Sequence, residues 1–193
     1  MSRIFIIKML PNKRKILQSL NYLASYQDNK IISEMKAYKL LWLADRYHLR
    51  QYARTITQDN YYAMQYGIVP STAKNMVDNI SNSVRNQKYI QKAEKYYYKS
   101  VTEVDMDVFS DSDVEVLNLI LKNFGKMSPQ ALSNLSHDFP EWKRYEKNLT
   151  NGNKRSYKVD INDFFENCKE ESGLFVDDDE LLSLTKNLYS EMN

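Results

Sequence analysis

The chain has 193 residues, 42% hydrophobic and 12% aromatic, a make-up that fits one folded domain with a sizeable core and excludes a disordered polymer. No apolar run approaches the roughly 20 residues of a membrane span, and the single cysteine, Cys168, excludes an internal disulfide or a thiolate zinc site within one chain. The net charge of +2 conceals a skew, because residues 1–100 carry 17 Lys+Arg against 6 Asp+Glu and the remainder is acidic. Such a skew means either a basic, tyrosine-rich surface for an acidic partner or nucleic acid, or two halves that pack together and compensate. With only four Gly and four Pro to mark turns, long helices are expected over a many-stranded sheet. A soluble cytoplasmic protein fits these properties.

Residues 1–12 read as a short strand through Ile4, Phe5, Ile6 and Ile7, or as an appendage used in assembly. Pro11 then opens a helix with Ile16, Leu17, Leu20, Leu23 and Ala24 on one face. A polar loop over 27–30 follows, and Ser33 is placed to cap the next helix, with Glu34 against its dipole. That helix is the centre of the chain. Ala37, Leu40, Leu41 and Ala44 fall at helical spacing, and Tyr38, Trp42 and Leu43 widen the apolar band until other elements must enclose it. Charge then enters abruptly at Asp45 and Arg46.

Residues 55–60 read as a loop and 61–66 as a short helix ended by Gly67. Pro70 and Ser71 start a helix with Ala73, Met76, Val77, Ile80 and Val84 on its apolar face, continuing or restarting through Ile90, Ala93 and Tyr97. Val104, Met106 and Val108 alternate as in an extended stretch. Ser110 and Asp113 form a capping box before Val114, Leu117, Ile120, Leu121 and Phe124, with Gly125 just past the end. Ser128 and Pro129 start a short helix, and Asp138 with Glu141 head another that contains Trp142 and Tyr145. Asn151 and Gly152 mark a turn before a strand at Tyr157, Val159 and Ile161, and Asn162 is placed to cap a helix with Phe164, Phe165 and Cys168. The last helix carries Leu181, Leu184, Leu188 and Met192 behind acids at 177–180, which suit its N-terminus.

Two histidines and one cysteine are a thin inventory for catalysis. A Cys168–His137 pair and a His48–His137–carboxylate metal site are conceivable, but Cys168 lies on the apolar side of its helix and nothing fixes a ligand spacing. Gly-rich phosphate loops, Gly-x-Ser-x-Gly and His-Glu-x-x-His are all missing, which argues against an enzyme, a metal or a cofactor. Arg46, Arg50 and Arg54 stand at i, i+4 and i+8, with Tyr47, Tyr61, Tyr62 and Tyr66 close by. Arginine and tyrosine dominate binding energy at protein interfaces, and the alternative is that these arginines pair with the acidic half of the same chain. Residues 128–147 imitate a helix-turn-helix with Lys143, Arg144 and Lys147 on the second helix, or form a plain helical hairpin.

At these residues the sequence resembles the Panacea-domain antitoxins, the SocA-like family first known as a phage-associated domain. The resemblance rests on the unbroken run from Lys39 to Leu49, on Ile56 with Thr57, on Tyr62, Ala63 and Met64, and on the run from Tyr66 to Ser71. It resumes with Asp105, Asp107, Ser110, Ser112, Asp113, Leu117 and Leu132, and finishes with Ser136, His137, Asp138, Pro140 and Trp142. These blocks lie in the family's order over residues 20–165. Where the family has Gly-Pro-Val this chain has Gly67, Ile68 and Val69, which restores a backbone N–H.

The resemblance implies a mostly helical domain that binds and neutralises a toxin encoded beside it, without a reaction of its own. One relative instead delivers its toxin to a protease, and related sequences travel with mobile elements. The family's recurring positions fall here on Asp45, Arg46, Tyr66, Gly67, Pro70, His137, Asp138 and Trp142. Gly67 and Pro70 are expected to shape a turn, Asp138 to cap a helix and Trp142 to fill the core. The fold expected is mainly α, a compact single-domain bundle of about seven to nine helices with at most a small β-hairpin. Its parts are an appendage over 1–12, the helical domain over 13–173 and an acid-capped helix over 174–193. The toxin is expected to meet Arg46, Tyr47, Arg50, Arg54, Tyr61, Tyr62 and Tyr66. The alternative partners are operator DNA, at Lys143, Arg144 and Lys147, or a protease.

Overall fold

The computed structural model describes residues 10–152 and 154–192, so most of the expected N-terminal appendage lies outside the described residues. Helix α1 (Lys13–Ser25) is capped by Asn12, whose side chain accepts from the Lys15 N–H, and buries Ile16, Leu17, Leu20, Leu23 and Ala24 as the periodicity requires. Strand β1 (Ile31–Ser33) leads into α2 (Glu34–Tyr52), where Ser33 accepts from the Lys36 N–H. Helix α2 is enclosed. It packs against α1 and against four later helices: α3 (Ser71–Asp78), α5 (Asp111–Phe124), α6 (Pro129–Ser136) and α9 (Asp179–Met192).

The all-helical expectation is overturned. The fold is mixed α/β, with two three-stranded antiparallel sheets beside nine helices among the described residues. One sheet has the order β1–β5–β4, from β1, β5 (Tyr97–Ser100) and β4 (Ile90–Glu94). The other has the order β3–β2–β6, from β3 (Gly67–Pro70), β2 (Tyr61–Met64) and β6 (Ser156–Lys158). Short helices α4 (Val84–Gln87), α7 (Pro140–Lys143) and α8 (Glu146–Thr150) complete the set.

The corrections have physical reasons. Residues 61–66 were expected to be helical because Ala, Met and Gln favour helices, yet Tyr61 and Ala63 face inward while Tyr62 and Met64 face out, the period of two of a strand. Gly67 ends no helix; at φ +92 it opens β3, opposite Met64. The helix from Ser71 stops at Asp78, and Val84 is 86% exposed instead of lying on its buried face. Ile90 and Tyr97 belong to the β4–β5 hairpin, whose turn places Tyr96 at φ 66. Residues Met106–Val108 form a 3-10 turn where alternation suggested an extended stretch. Helix α5 matches expectation, with both halves of the Ser110–Asp113 capping box formed.

Candidate functional site

Within α2 the charges are interior. Arg46 and Arg50 are 0% exposed, and Lys39, Asp45 and His48 are buried with them. Each ties α2 to a different part of the chain. Lys39 Nζ donates to the Ile68 carbonyl on β3 at 2.7 Å. Burial alone pushes its ammonium down to about 7.

Asp45 accepts from the Ile56 N–H at 2.8 Å, the Thr57 N–H at 3.0 Å, the Thr57 hydroxyl and the Tyr61 hydroxyl at 2.7 Å. Burial raises its carboxyl to about 6 against those donors, so it is ionised at neutral pH and holds residues 56–61 against the helix.

Arg46 faces α7. Its Nε donates to Glu141 Oε1 at 3.0 Å and its Nη2 to the Glu166 carbonyl at 2.6 Å. The guanidinium lies 4.8 Å from the Phe139 ring centroid and 5.0 Å from that of Phe175. Trp42 Nε1 shares the same Glu141 oxygen at 2.9 Å. Desolvation raises the Glu141 carboxyl, opposed by the Arg46 charge and these hydrogen bonds.

Arg50 gathers the segment before α9. It donates to the carbonyls of Phe164 and Glu166 at 3.0 and 2.9 Å, to Asn167 Oδ1 at 2.6 Å and to Asp177 Oδ2 at 2.8 Å. His48 Nδ1 must carry a proton, because it lies 2.7 Å from the Arg54 carbonyl, which can only accept. Its Nε2 faces Ser112 Oγ at 3.0 Å and Asp113 at 3.3 Å. Asp113 also receives Lys15 and Arg54. Although desolvation works against it, the hydrogen bonds from His48 and Lys15, the Ser110 N–H and the Arg54 charge hold its carboxyl below the ordinary range.

The seven residues expected to grip a partner therefore do not form one outward patch. Arg46, Arg50 and Tyr61 are internal, and Arg54 is engaged with Ser110 and Asp113. Tyr47, with its ring edge-on to Phe175, and Tyr62 are both half-buried, and Tyr66 on the turn of the β2–β3 hairpin is exposed, at 58%. Tyr62 belongs to the outer face of the β3–β2–β6 sheet, opposite Val69 on one side and Lys158 on the other. With Met64, Val69, Ser71, Lys74, Asn75 and Ser156 it lines a cleft whose surface is mostly apolar and in which Lys74 is paired with Asp78.

The family-motif positions have structural places. Gly67 sits where a Cβ would meet Ser136 Oγ at 1.8 Å and Lys39 Nζ at 2.8 Å, so the close approach of β3, α6 and α2 requires glycine. Pro70 ends β3 directly before α3, whose first N–H groups bond to Asn60 and Asp59. Asp138 is exposed and caps nothing, because Phe139 occupies the N-cap of α7 without a side-chain bond. Trp142 does fill the core; its Nε1 donates to the Met64 carbonyl at 2.9 Å, and its ring stacks on His137 with centroids 3.9 Å apart. The His137 ring is pushed toward neutrality by burial and by Lys39.

Cys168 is buried, with a thiol raised by burial and 3.6 Å from the Asp138 carbonyl. Among the described residues no group of three or more His, Cys, Asp or Glu side chains is placed to hold a metal ion. The helix-turn-helix reading finds no recognition helix, since α7 spans only Pro140–Lys143 and Arg144 is held by Asp163. Lys143 and Lys147 are exposed. No helix among the described residues is long and apolar enough to cross a membrane.

Together these features define a small mixed α/β domain built around a charged, enclosed helix, with an open sheet face beside it. Residues 38–143 match the family described as Antitoxin SocA-like, Panacea domain. The match covers more than half of the chain, and the chain belongs to that family. No curated protein and no solved structure matches it.

The buried charges were the part of this site hardest to foresee. The available signal was the helix itself: a stretch apolar on all sides must be enclosed, and charges in its last turns share that enclosure.

Proposed function

We propose that the protein neutralises, by direct contact in the cytoplasm, a protein toxin encoded beside it, and that it carries out no reaction of its own. The observation that carries this reading is membership of the antitoxin family across residues 38–143, a span that includes most of α2 and its ties to residues 56–61, Ile68 and Glu141. A toxin partner in general follows from the family; contact at a particular surface is the proposal. We place the grip on the outer face of the β3–β2–β6 sheet, at Tyr62, Tyr66, Met64 and Val69 with Lys74 on the rim. These partly or well exposed aromatic and apolar side chains lie within the family's motif blocks on the β2–β3 hairpin. Tyrosine and methionine beside lysine suit a protein surface, where rigid rings supply contact area at little entropic cost.

The test is calorimetric titration of the purified chain with the product of the neighbouring reading frame, paired with growth on co-expression. A saturating complex and restored growth are expected. A toxic neighbour that forms no complex with the folded chain contradicts the proposal.

A further inference from the structure

Helix α9 carries two apolar lines, and the body of the protein covers one. Leu182 and Thr185 are buried, and Tyr189 packs partly against the core with its ring 6.1 Å from Phe165. Leu184, Leu188 and Met192 stand at i, i+4 and i+8 and are 56%, 44% and 56% exposed, with half-buried Leu181 heading the same line. The structure turns that line toward solvent. Single exposed leucines are ordinary, but a continuous line at helical spacing is the anchor pattern of a helix that lies in a groove.

Charge selects what covers it. Glu180 and Glu191, about three turns apart, lie on the same flank of the line. Lys186 is on another side of the helix, where its charge acts on Asp160. Lys186 is the one basic residue within α9, and it is off the line. A second copy of α9 laid antiparallel in register would set Glu180 and Glu191 against each other, and laid parallel would set Glu180 against Asp178. The complement is an apolar groove rimmed by basic side chains.

We propose that α9 is a docking helix whose Leu181, Leu184, Leu188 and Met192 seat in an apolar, lysine- or arginine-rimmed groove of the toxin, as a second contact beside the sheet face. This rests on the antitoxin reading. The experiment compares the full chain with two variants, Leu184→Asp/Leu188→Asp and Glu180→Lys/Glu191→Lys. It measures the Kd for the purified product of the neighbouring reading frame, solution mass by light scattering, and Tm.

Because the altered side chains face solvent, both variants are expected to keep the parent Tm. The free chain is expected to be a monomer, and each variant to bind about tenfold more weakly or worse. The charge-reversal effect is expected to shrink as salt rises. Unaltered affinity in both variants, with the parent binding normally, overturns the docking role and leaves the antitoxin reading standing. A parent dimer that Leu184→Asp/Leu188→Asp converts to a monomer assigns the line to a second copy and overturns the proposal. No binding by the parent removes the antitoxin reading, and this inference with it. If the leucine variant fails to fold, the charge reversal decides alone.

Discussion

Arg46 and Glu141 show how a charged pair at the centre of the molecule is held. Two charges out of water are stable only while they face each other. Here the pair is met in part, since Arg46 Nη1 and Glu141 Oε2 are buried without a hydrogen-bond partner. Arg46→Met removes the counter-charge and leaves the Glu141 carboxylate the Trp42 indole and its own backbone N–H, and unfolding in urea is expected to show a loss of about 3–5 kcal/mol. Adding Glu141→Leu removes the stranded charge, and most of that loss is expected to return. If the double variant is as unstable as the single one, the pair is not an isolated unit. Lys39 gives a pH dependence of known sign. Its folded pKa of about 7 lies below the ordinary 10.5, so burial penalises the charged form. Below pH 7 both folded and unfolded chains hold the proton and the penalty is full. As the pH rises from 7 towards 10.5 the fold sheds a proton that the unfolded chain keeps, so stability climbs. The slope is at most about 1.4 kcal/mol per pH unit. Lys39→Met is expected to flatten that rise in stability measured between pH 7.5 and 9.5; an unaltered slope contradicts the assignment.

At the scale of elements, what was legible followed helix chemistry. The caps at Ser33, Ser110 and Ser128, the inward face of α1 and the extent of α2 all follow from side-chain oxygens and a 3.6-residue period. The hairpins were not legible, and the reason lies in their turns. Four glycines suggested few reversals, yet Asn29, Lys30, Ala53, Gln58 and Tyr96 all adopt positive φ without being glycine. Tyr96 turns β4 into β5, and Ala53 closes α2 in the left-handed conformation with its N–H bonded to the Leu49 carbonyl. Each carries a Cβ penalty that glycine would not. Ala53→Gly is therefore expected to raise stability by about 0.5–1 kcal/mol, read as a higher Tm; a lower Tm would mean that burial of the Ala53 methyl outweighs the strain. For α9 the 3.6-residue period was correct, but its apolar sector spans more than one face. Only packing decides which leucines are covered.

Across the whole molecule, part of the charge skew along the chain resolves into internal pairing. Arg14 meets Asp105, Lys15 and Arg54 meet Asp113, Arg46 meets Glu141 and Arg50 meets Asp177, each joining the basic first half to the acidic second. The arginine series at i, i+4 and i+8 was visible in the sequence, but its direction was not. Helical spacing says which side chains share a face, and only the neighbours say whether that face is wet. The α2 block of the family motif draws loops, strands and helices together. The proposed grip lies on what that assembly holds outward.

The buried Arg46–Glu141 pair serves the fold, and the open sheet face is the proposed toxin surface. Growth rescue in cells expressing the neighbouring toxin separates the two roles, with two variants side by side. Arg46→Met/Glu141→Leu, folded by circular dichroism, is expected to rescue growth like the parent chain, and Tyr62→Ala/Tyr66→Ala/Lys74→Glu to lose rescue while staying folded. The reverse result, rescue lost with the internal pair and kept without the sheet-face side chains, contradicts the claim.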